Sequence, residues 1–147
     1  MGQVVVRRAN SQEMPGVRAL RLEVFVGEQG VPEELELDAL DPTAIHAVGL
    51  DGAEVVGTGR LVQLSDQDAQ IGRMAVRASF RRRRVGSQIL RLLEDEAKNL
   101  GAVQVVLHAQ SYVSAFYSAL GYQEEGSPFF EAGIEHILMR KALPRSS

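Results

Sequence analysis

The sequence predicts a mixed α/β fold, a mostly antiparallel sheet with one parallel strand pair, and three observations lead to it. Residues 45 to 76 hold apolar runs separated by the turn signals Asp51-Gly52 and Ser65-Asp66-Gln67-Asp68, the pattern of an antiparallel meander. Val85, Ile89, Leu92, Leu93, Ala97 and Leu100 then recur at helical spacing. The strand at 69 to 76, that helix and the compact apolar run Val103 to Leu107 compose a β-α-β unit, whose strands pair in parallel.

The elements follow in order. Val4 to Val6 read as a short strand. Asn10 with Glu13 three residues on resembles a capping box, opening a helix that carries Met14, Val17, Leu20, Leu22, Val24 and Phe25 and ends near Gly27 or Gly30. Pro32 and an acidic segment form a loop closed by Pro42. The meander comprises Ile45 to Leu50, Glu54 to Leu64 and Ala69 to Val76. The second helix spans about Val85 to Asn99 and stops at Gly101. After the strand Val103 to Leu107, a helix from Ser111 to Leu120 stops at Gly121, and Ile134 to Met139 is the last strand.

With 147 residues and 45% apolar content the chain fits one domain, residues 1–147, with a core of its own. The absence of cysteine removes disulfides, thiolate metal sites and a Cys nucleophile. The N-terminus lacks the apolar core of a signal peptide, and no apolar run is long enough to span a bilayer, so a soluble, cytoplasmic protein is expected, without a membrane partner. The histidines, His46, His108 and His136, form no ligand pair in sequence, so no metal is expected.

Charge is placed unevenly. Glu28, Glu33, Glu34, Glu36, Asp38 and Asp41 form a stretch without Lys or Arg, whereas residues 77 to 84 carry five arginines although the net charge is -3. A nucleic-acid surface sums phosphate contacts over a wide basic face, so one short cluster argues against nucleic acid and for one small polyanion. Arg81-Arg82-Arg83-Arg84-Val85-Gly86-Ser87 lies where a strand ends and a helix begins, where backbone N–H groups lack intrahelical partners and a phosphate fits. A solvated turn is the plain alternative, and the local residues do not separate the two.

The segment MAVRASFRRRRVGSQIL, Met74 to Leu90, resembles the acetyl-CoA-binding motif of the GNAT superfamily of N-acetyltransferases, Arg/Gln-x-x-Gly-x-Gly/Ala after the fourth strand. Arg81 and Gly86 match its ends; its middle glycine is Arg84. SYVSAFYSALGY, Ser111 to Tyr122, resembles the later family motif in which a helix carries Phe-Tyr and ends in Leu-Gly-Phe/Tyr. LRLEVFVGEQGVPEELELD and FFEAGIEHILMRKAL are similar to a subgroup of small bacterial GNAT proteins. The 31 residues from Gly86 to Tyr117 suit one helix, one strand and half a helix.

The resemblance implies helices on both sheet faces, a splayed parallel pair, and direct transfer of acetyl from acetyl-CoA to an amine, with no metal. It implies backbone groups of Met74, Ala75 and Val76 on the pantetheine and N–H groups of Arg81, Arg82, Arg83, Arg84, Val85, Gly86 and Ser87 on the pyrophosphate. Ordinary helical angles at Arg84 would keep its N–H facing phosphate; other angles would weaken the site. Tyr117 is the expected general acid towards the CoA sulfur, with ring packing as its alternative role. Glu28 and His136 are further catalytic candidates. Glu28, Gln29, Glu131 and His136 are expected to border the acceptor, which the acidic run makes a small cationic amine. His108 could serve either site or neither. A CoA-binding sensor and a transferase of another acyl group are the alternatives, and the sequence admits a homodimer.

Overall fold

The computed structural model describes residues 3–33 and 40–144. Its strands are β1 (Val5–Arg8), β2 (Ile45–Asp51), β3 (Glu54–Gln63), β4 (Asp68–Val76), β5 (Gln104–Gln110), β6 (Gln123–Glu131) and β7 (Ile134–Ala142). They form one seven-stranded sheet in the order β1-β2-β3-β4-β5-β7-β6. Every pairing is antiparallel except β4 with β5, so the meander and the β-α-β unit stand as expected. Among the described residues, no helix is long and apolar enough to cross a membrane.

The helices are α1 (Met14–Arg21), α2 (Val85–Asn99) and α3 (Ser114–Ala119). The capping box forms: Asn10 Oδ1 accepts from Glu13 N–H at 3.1 Å, and Glu13 Oε1 accepts from Asn10 N–H at 3.0 Å. The first helix nonetheless departs from the expected single α-helix. A 3₁₀ turn, Ser11–Glu13, leads in, and Leu22–Glu28 continue as a π-helix, whose wider turn brings the neighbours Val24 and Phe25 both into the core. The third helix likewise starts as a 3₁₀ turn at Ser111–Val113.

The first strand sits one residue later than Val4 to Val6, and β5 and β7 run three residues past the expected ends, Leu107 and Met139. β6 was not foreseen. It is an edge strand interrupted by Gly126-Ser127-Pro128, where its register shifts between Glu125 and Phe129, and its exposed first residues lack apolar alternation.

Strand alternation splits the core into two faces. In β2, Ala47 belongs to the cluster under α2 with Ile89 and Leu93, while Val48 belongs to the cluster under α1 with Val17 and Leu20. The α2 face is unusually close because β3 is nearly bare beneath it. A Cβ on Gly57 would stand 2.7 Å from Val85 Cγ1 and 2.8 Å from Ile89 Cδ1. One on Gly59 would stand 2.6 Å from Met74 Sδ and 2.9 Å from both Ile89 Cγ2 and Leu93 Cδ1. These glycines let the helix rest on the strand backbone, which fixes where its N-terminus lies.

Candidate active site

Opposite Gly59, β4 carries an extra residue. Thr58 pairs with Ala75 and Arg60 with Gly72, so Arg73 and Met74 together face Gly59, and Arg73 takes the left-handed φ of 52° that such a bulge requires. The parallel pairing of β4 with β5 is limited to Asp68, Ala69 and Gln70 against Gln104, Val105 and Val106. Beyond Gln70 the strands part, leaving the β5-facing edge of β4 without a ladder partner. A cleft of about 480 Å³ opens there, lined among others by Gln29, Arg73, His108, Tyr117, Glu131 and His136.

Above the end of β4 lies the arginine turn. The first intrahelical bond of α2 runs from Gln88 N–H to Arg84 O at 3.1 Å, so the N–H groups of Val85, Gly86 and Ser87 have no acceptor within the helix. A Cβ on Gly86 would meet Phe116 Cζ at 3.6 Å and Val76 Cγ2 at 3.8 Å, ordinary contacts, so this glycine packs against the side chains of α3 and the end of β4. Arg84 does not take helical angles: it sits at φ 64°, ψ 13°, and Arg82 is left-handed as well. The expected helical angles are therefore not met; left-handed angles are those a glycine readily adopts, so the departure from the motif costs conformational energy in place of the loss of path that other angles were expected to bring. A left-handed non-glycine residue costs about 1–2 kcal/mol, partly offset in Gly by its looser unfolded chain. Arg84→Gly is therefore expected to raise stability by up to about 1 kcal/mol in denaturant titration. A loss of stability would show that the side chain contributes more than its backbone strain.

The arginines differ in their engagements. Arg81 turns back: its Nε donates to Val76 O at 2.8 Å and its Nη2 to Glu28 Oε1 at 2.7 Å. The Arg83 guanidinium stacks 4.8 Å from the Phe80 ring centroid. Glu28 and Arg81, expected in the acceptor and cofactor parts of the site, are thus joined, and Arg81 ties the end of β4 to the π-helical segment.

The acidic run is less bare than its sequence indicates. Asp41 accepts from buried Arg21 at 2.8 Å and from Arg60 at 2.9 Å. Burial opposes its charge, but these guanidiniums hold its carboxyl below the usual value. Glu28 has Arg81. The expectation of carboxylates lacking local basic partners is corrected for these two, because the partners arrive from α1, β3 and the turn, far away in sequence. Glu33 is exposed, and Glu34, Glu36 and Asp38 lie outside the described residues.

The remaining candidates are brought together. Gln110 Nε2 donates to Gln29 Oε1 at 2.7 Å, tying the π-helical segment to the end of β5. Tyr117 is 9% exposed, with its ring edge-on to Phe116 at 5.0 Å and to Tyr122 at 6.0 Å. Burial pushes its phenol up to about 12. Glu131 sits between the histidines: Oε1 is 3.0 Å from His108 Nδ1, and Oε2 is 3.9 Å from His136 Nε2. His136 Nδ1 lies 2.7 Å from Ile134 O, and its ring stacks on Phe129. Met74 lines the cleft, while Ala75 and Val76 carry β4 onward to the turn.

Sequence reasoning left His108 unassigned and did not single out Arg73. Their signals were absent for one cause: the partner of His108 stands on the unforeseen β6, and Arg73 enters the cleft through a bulge. Among the described residues, no group of three His, Cys, Asp or Glu side chains is placed to hold a metal ion.

The profile of the acetyltransferase (GNAT) domain family matches residues 7–143. The chain is 37% identical over 133 residues to the uncharacterised N-acetyltransferase YjcF of Bacillus subtilis, covering 90% of this chain and 94% of that protein. Among solved structures it resembles an acyl-CoA N-acyltransferase from Pseudomonas aeruginosa (27% identity, TM-score 0.82, 96% and 100% of the chains). It also shares its fold with a GNAT family acetyltransferase from Elizabethkingia anophelis with acetyl-CoA bound (17% identity, TM-score 0.75, 97% and 100%).

Proposed function

The chain belongs to the GNAT acetyltransferase family, and from that premise we propose that it passes the acetyl group of acetyl-CoA directly to a small amine held beside it in the cleft between β4 and β5. The observation that carries this reading is the conjunction of a strand pair that parts after three residue pairs with a helix that follows β4 in the chain and whose first N–H groups lack intrahelical acceptors. The residues suit the donor. The N–H groups at the start of α2, with Arg82 and Arg84 alongside, would take the pyrophosphate. The β5-facing edge of β4 from Met74 to Val76 would hold the pantetheine amides, beside the Val76 carbonyl that already accepts from Arg81 Nε. The Elizabethkingia neighbour, in which acetyl-CoA is bound, supports the same donor.

Acetyl-CoA supplies an activated acetyl thioester, and the chain supplies position and proton movement. Tyr117 presents a hydroxyl to the departing sulfur. Both reactants occupy the cleft together, so no acyl-enzyme is needed, and the chain has no cysteine to form a thioester. The acceptor is a small amine by the cleft's volume of about 480 Å³, and its cationic character rests on Glu131, the carboxylate in a lining that also carries Arg60 and Arg73.

Gly86→Val adds bulk against Phe116 and Val76, shifting the first N–H groups of α2 from their positions, and is expected to weaken acetyl-CoA binding at least about tenfold by calorimetry. Paired with it, CoA release is followed with kanamycin and lysine methyl ester, both cationic, and with aniline, uncharged at pH 7. Release with the cationic amines is expected. Unchanged affinity in the folded variant would move the donor site elsewhere, and equal rates with aniline would remove the cationic preference.

A further inference from the structure

The cleft that Tyr117 lines also holds a histidine and a carboxylate whose arrangement suits the reaction's other proton. A protonated amine cannot attack a carbonyl, and the attacking nitrogen must shed a proton as its bond to carbon forms. We propose that His108 is the group that receives this proton, at Nε2, and that Glu131 is its positioning residue. This rests on the acetyl-transfer reading and deepens it.

His108 stands on β5 at the open side of the splay, lining the cleft with its side chain about one-third exposed. Its Nδ1 lies 3.0 Å from Glu131 Oε1, so Nδ1 carries the hydrogen and donates it to the carboxylate. That assignment leaves Nε2 with the lone pair. Among the described residues Nε2 has no hydrogen-bond partner, and the ring is held edge-on by Phe129 at 5.2 Å. An oriented imidazole with one nitrogen engaged by a carboxylate and the other bare is the arrangement of a general base.

His136 is the poorer choice, although it shares the cleft. It is 7% exposed, its Nδ1 faces the Ile134 carbonyl, and its Nε2 points at the same Glu131 carboxylate from 3.9 Å, so both nitrogens are directed at protein. Glu28, bonded to Arg81, is not among the residues lining the cleft. The charged and titratable groups around His108 are Glu131 on β6, His136 on β7, Arg73 and Arg60 from β4 and β3, and Tyr117 on α3. Of these the hydrogen-bonded Glu131 dominates and raises the histidine's proton affinity; burial opposes it.

The balance is simple. The ammonium first releases one proton to water; the N–C bond of the neutral amine then forms and the C–S bond breaks, one N–H proton passes to His108 Nε2, one proton reaches sulfur from the Tyr117 side, and exchange with water resets both groups. Because His108 must be neutral to act, activity falls as pH drops through its pKa, and that limb lies above the ordinary histidine value of about 6.5.

The test uses the full chain with acetyl-CoA and kanamycin, lysine methyl ester or aniline, following CoA release against pH, together with ¹⁵N NMR of the histidine rings. His108→Gln is expected to lower kcat by about a hundredfold, leave the acetyl-CoA KM within about twofold, and abolish the acidic limb. His108→Ala regains part of the rate with added imidazole, which a merely structural residue would not. Glu131→Gln moves the limb to lower pH. In the NMR spectrum of neutral His108, Nδ1 is protonated and Nε2 bare. Wild-type kcat and an unchanged limb in His108→Gln overturn the assignment, and so does a protonated Nε2. No CoA release by wild type with any amine overturns the acetyl-transfer reading itself, and the ring tautomer then decides the His108–Glu131 arrangement on its own.

Discussion

Tyr117→Phe lowers kcat by at least about tenfold while leaving acetyl-CoA affinity nearly unchanged. The substitution removes one oxygen from a ring already held edge-on by Phe116 and Tyr122, so packing survives and the proton donor does not. General acid catalysis is worth about 100- to 10,000-fold where proton transfer is complete in the transition state. The lower end is expected here. Burial pushes this phenol up to about 12, whereas a thiol in water has a pKa of about 8.5, so the hydroxyl yields its proton reluctantly. Burial of the leaving sulfur in the same cleft raises its own proton affinity and narrows the gap. The hydroxyl therefore acts chiefly as a hydrogen bond that strengthens as charge develops on sulfur, an interaction seen in kcat and not in ground-state binding. Single-turnover rates with parallel calorimetry measure it, and a folded variant with full kcat would reduce Tyr117 to a packing residue.

Gly59→Val has the largest effect expected on the fold. Its first added atom alone would lie 2.6 Å from Met74 Sδ and 2.9 Å from side chains of Ile89 and Leu93, so α2 must lift from β3. Overpacking of this kind costs about 1–3 kcal/mol, a fall in Tm of about 3–10 °C for a chain of this size. Function falls with it, because the N–H groups at the start of α2 move with the helix, and the KM for acetyl-CoA rises in the molecules that remain folded. Thermal denaturation and steady-state kinetics report the two halves separately. An unshifted Tm would mean that the helix does not rest on this glycine.

The legible parts of the molecule were those written in local pattern. Helix α2 was readable to the residue because its apolar stripe is bounded by a basic turn and a glycine, and the meander because its turns carry Asp-Gly and Ser-Asp signals. The π-helical segment was not, since its apolar spacing differs little from that of an ordinary helix over two turns. β6 was hidden because its pattern is that of a loop, and its strand character comes from pairing with β7. The site divides along the same line. The turn around Gly86 and the Tyr117 helix are local motifs. The Glu131–His108 contact joins strands 23 residues apart, and the Arg81–Glu28 bridge spans 53 residues. Such long-range partners leave no periodic trace in a single chain.

The parallel seam between β4 and β5 is three residue pairs long. The sheet is therefore two plates, β1 to β4 and β5-β7-β6, zipped together along a short stretch and unzipped beyond it. A ligand bound along that edge of β4, as proposed, would supply missing rungs, and its binding energy would then also be cohesion between the plates. By mass action, a ligand at a hundredfold excess over its Kd adds about 2.7 kcal/mol to the folded state. On that reading, part of the fold's stability would be set by the concentration of a small molecule.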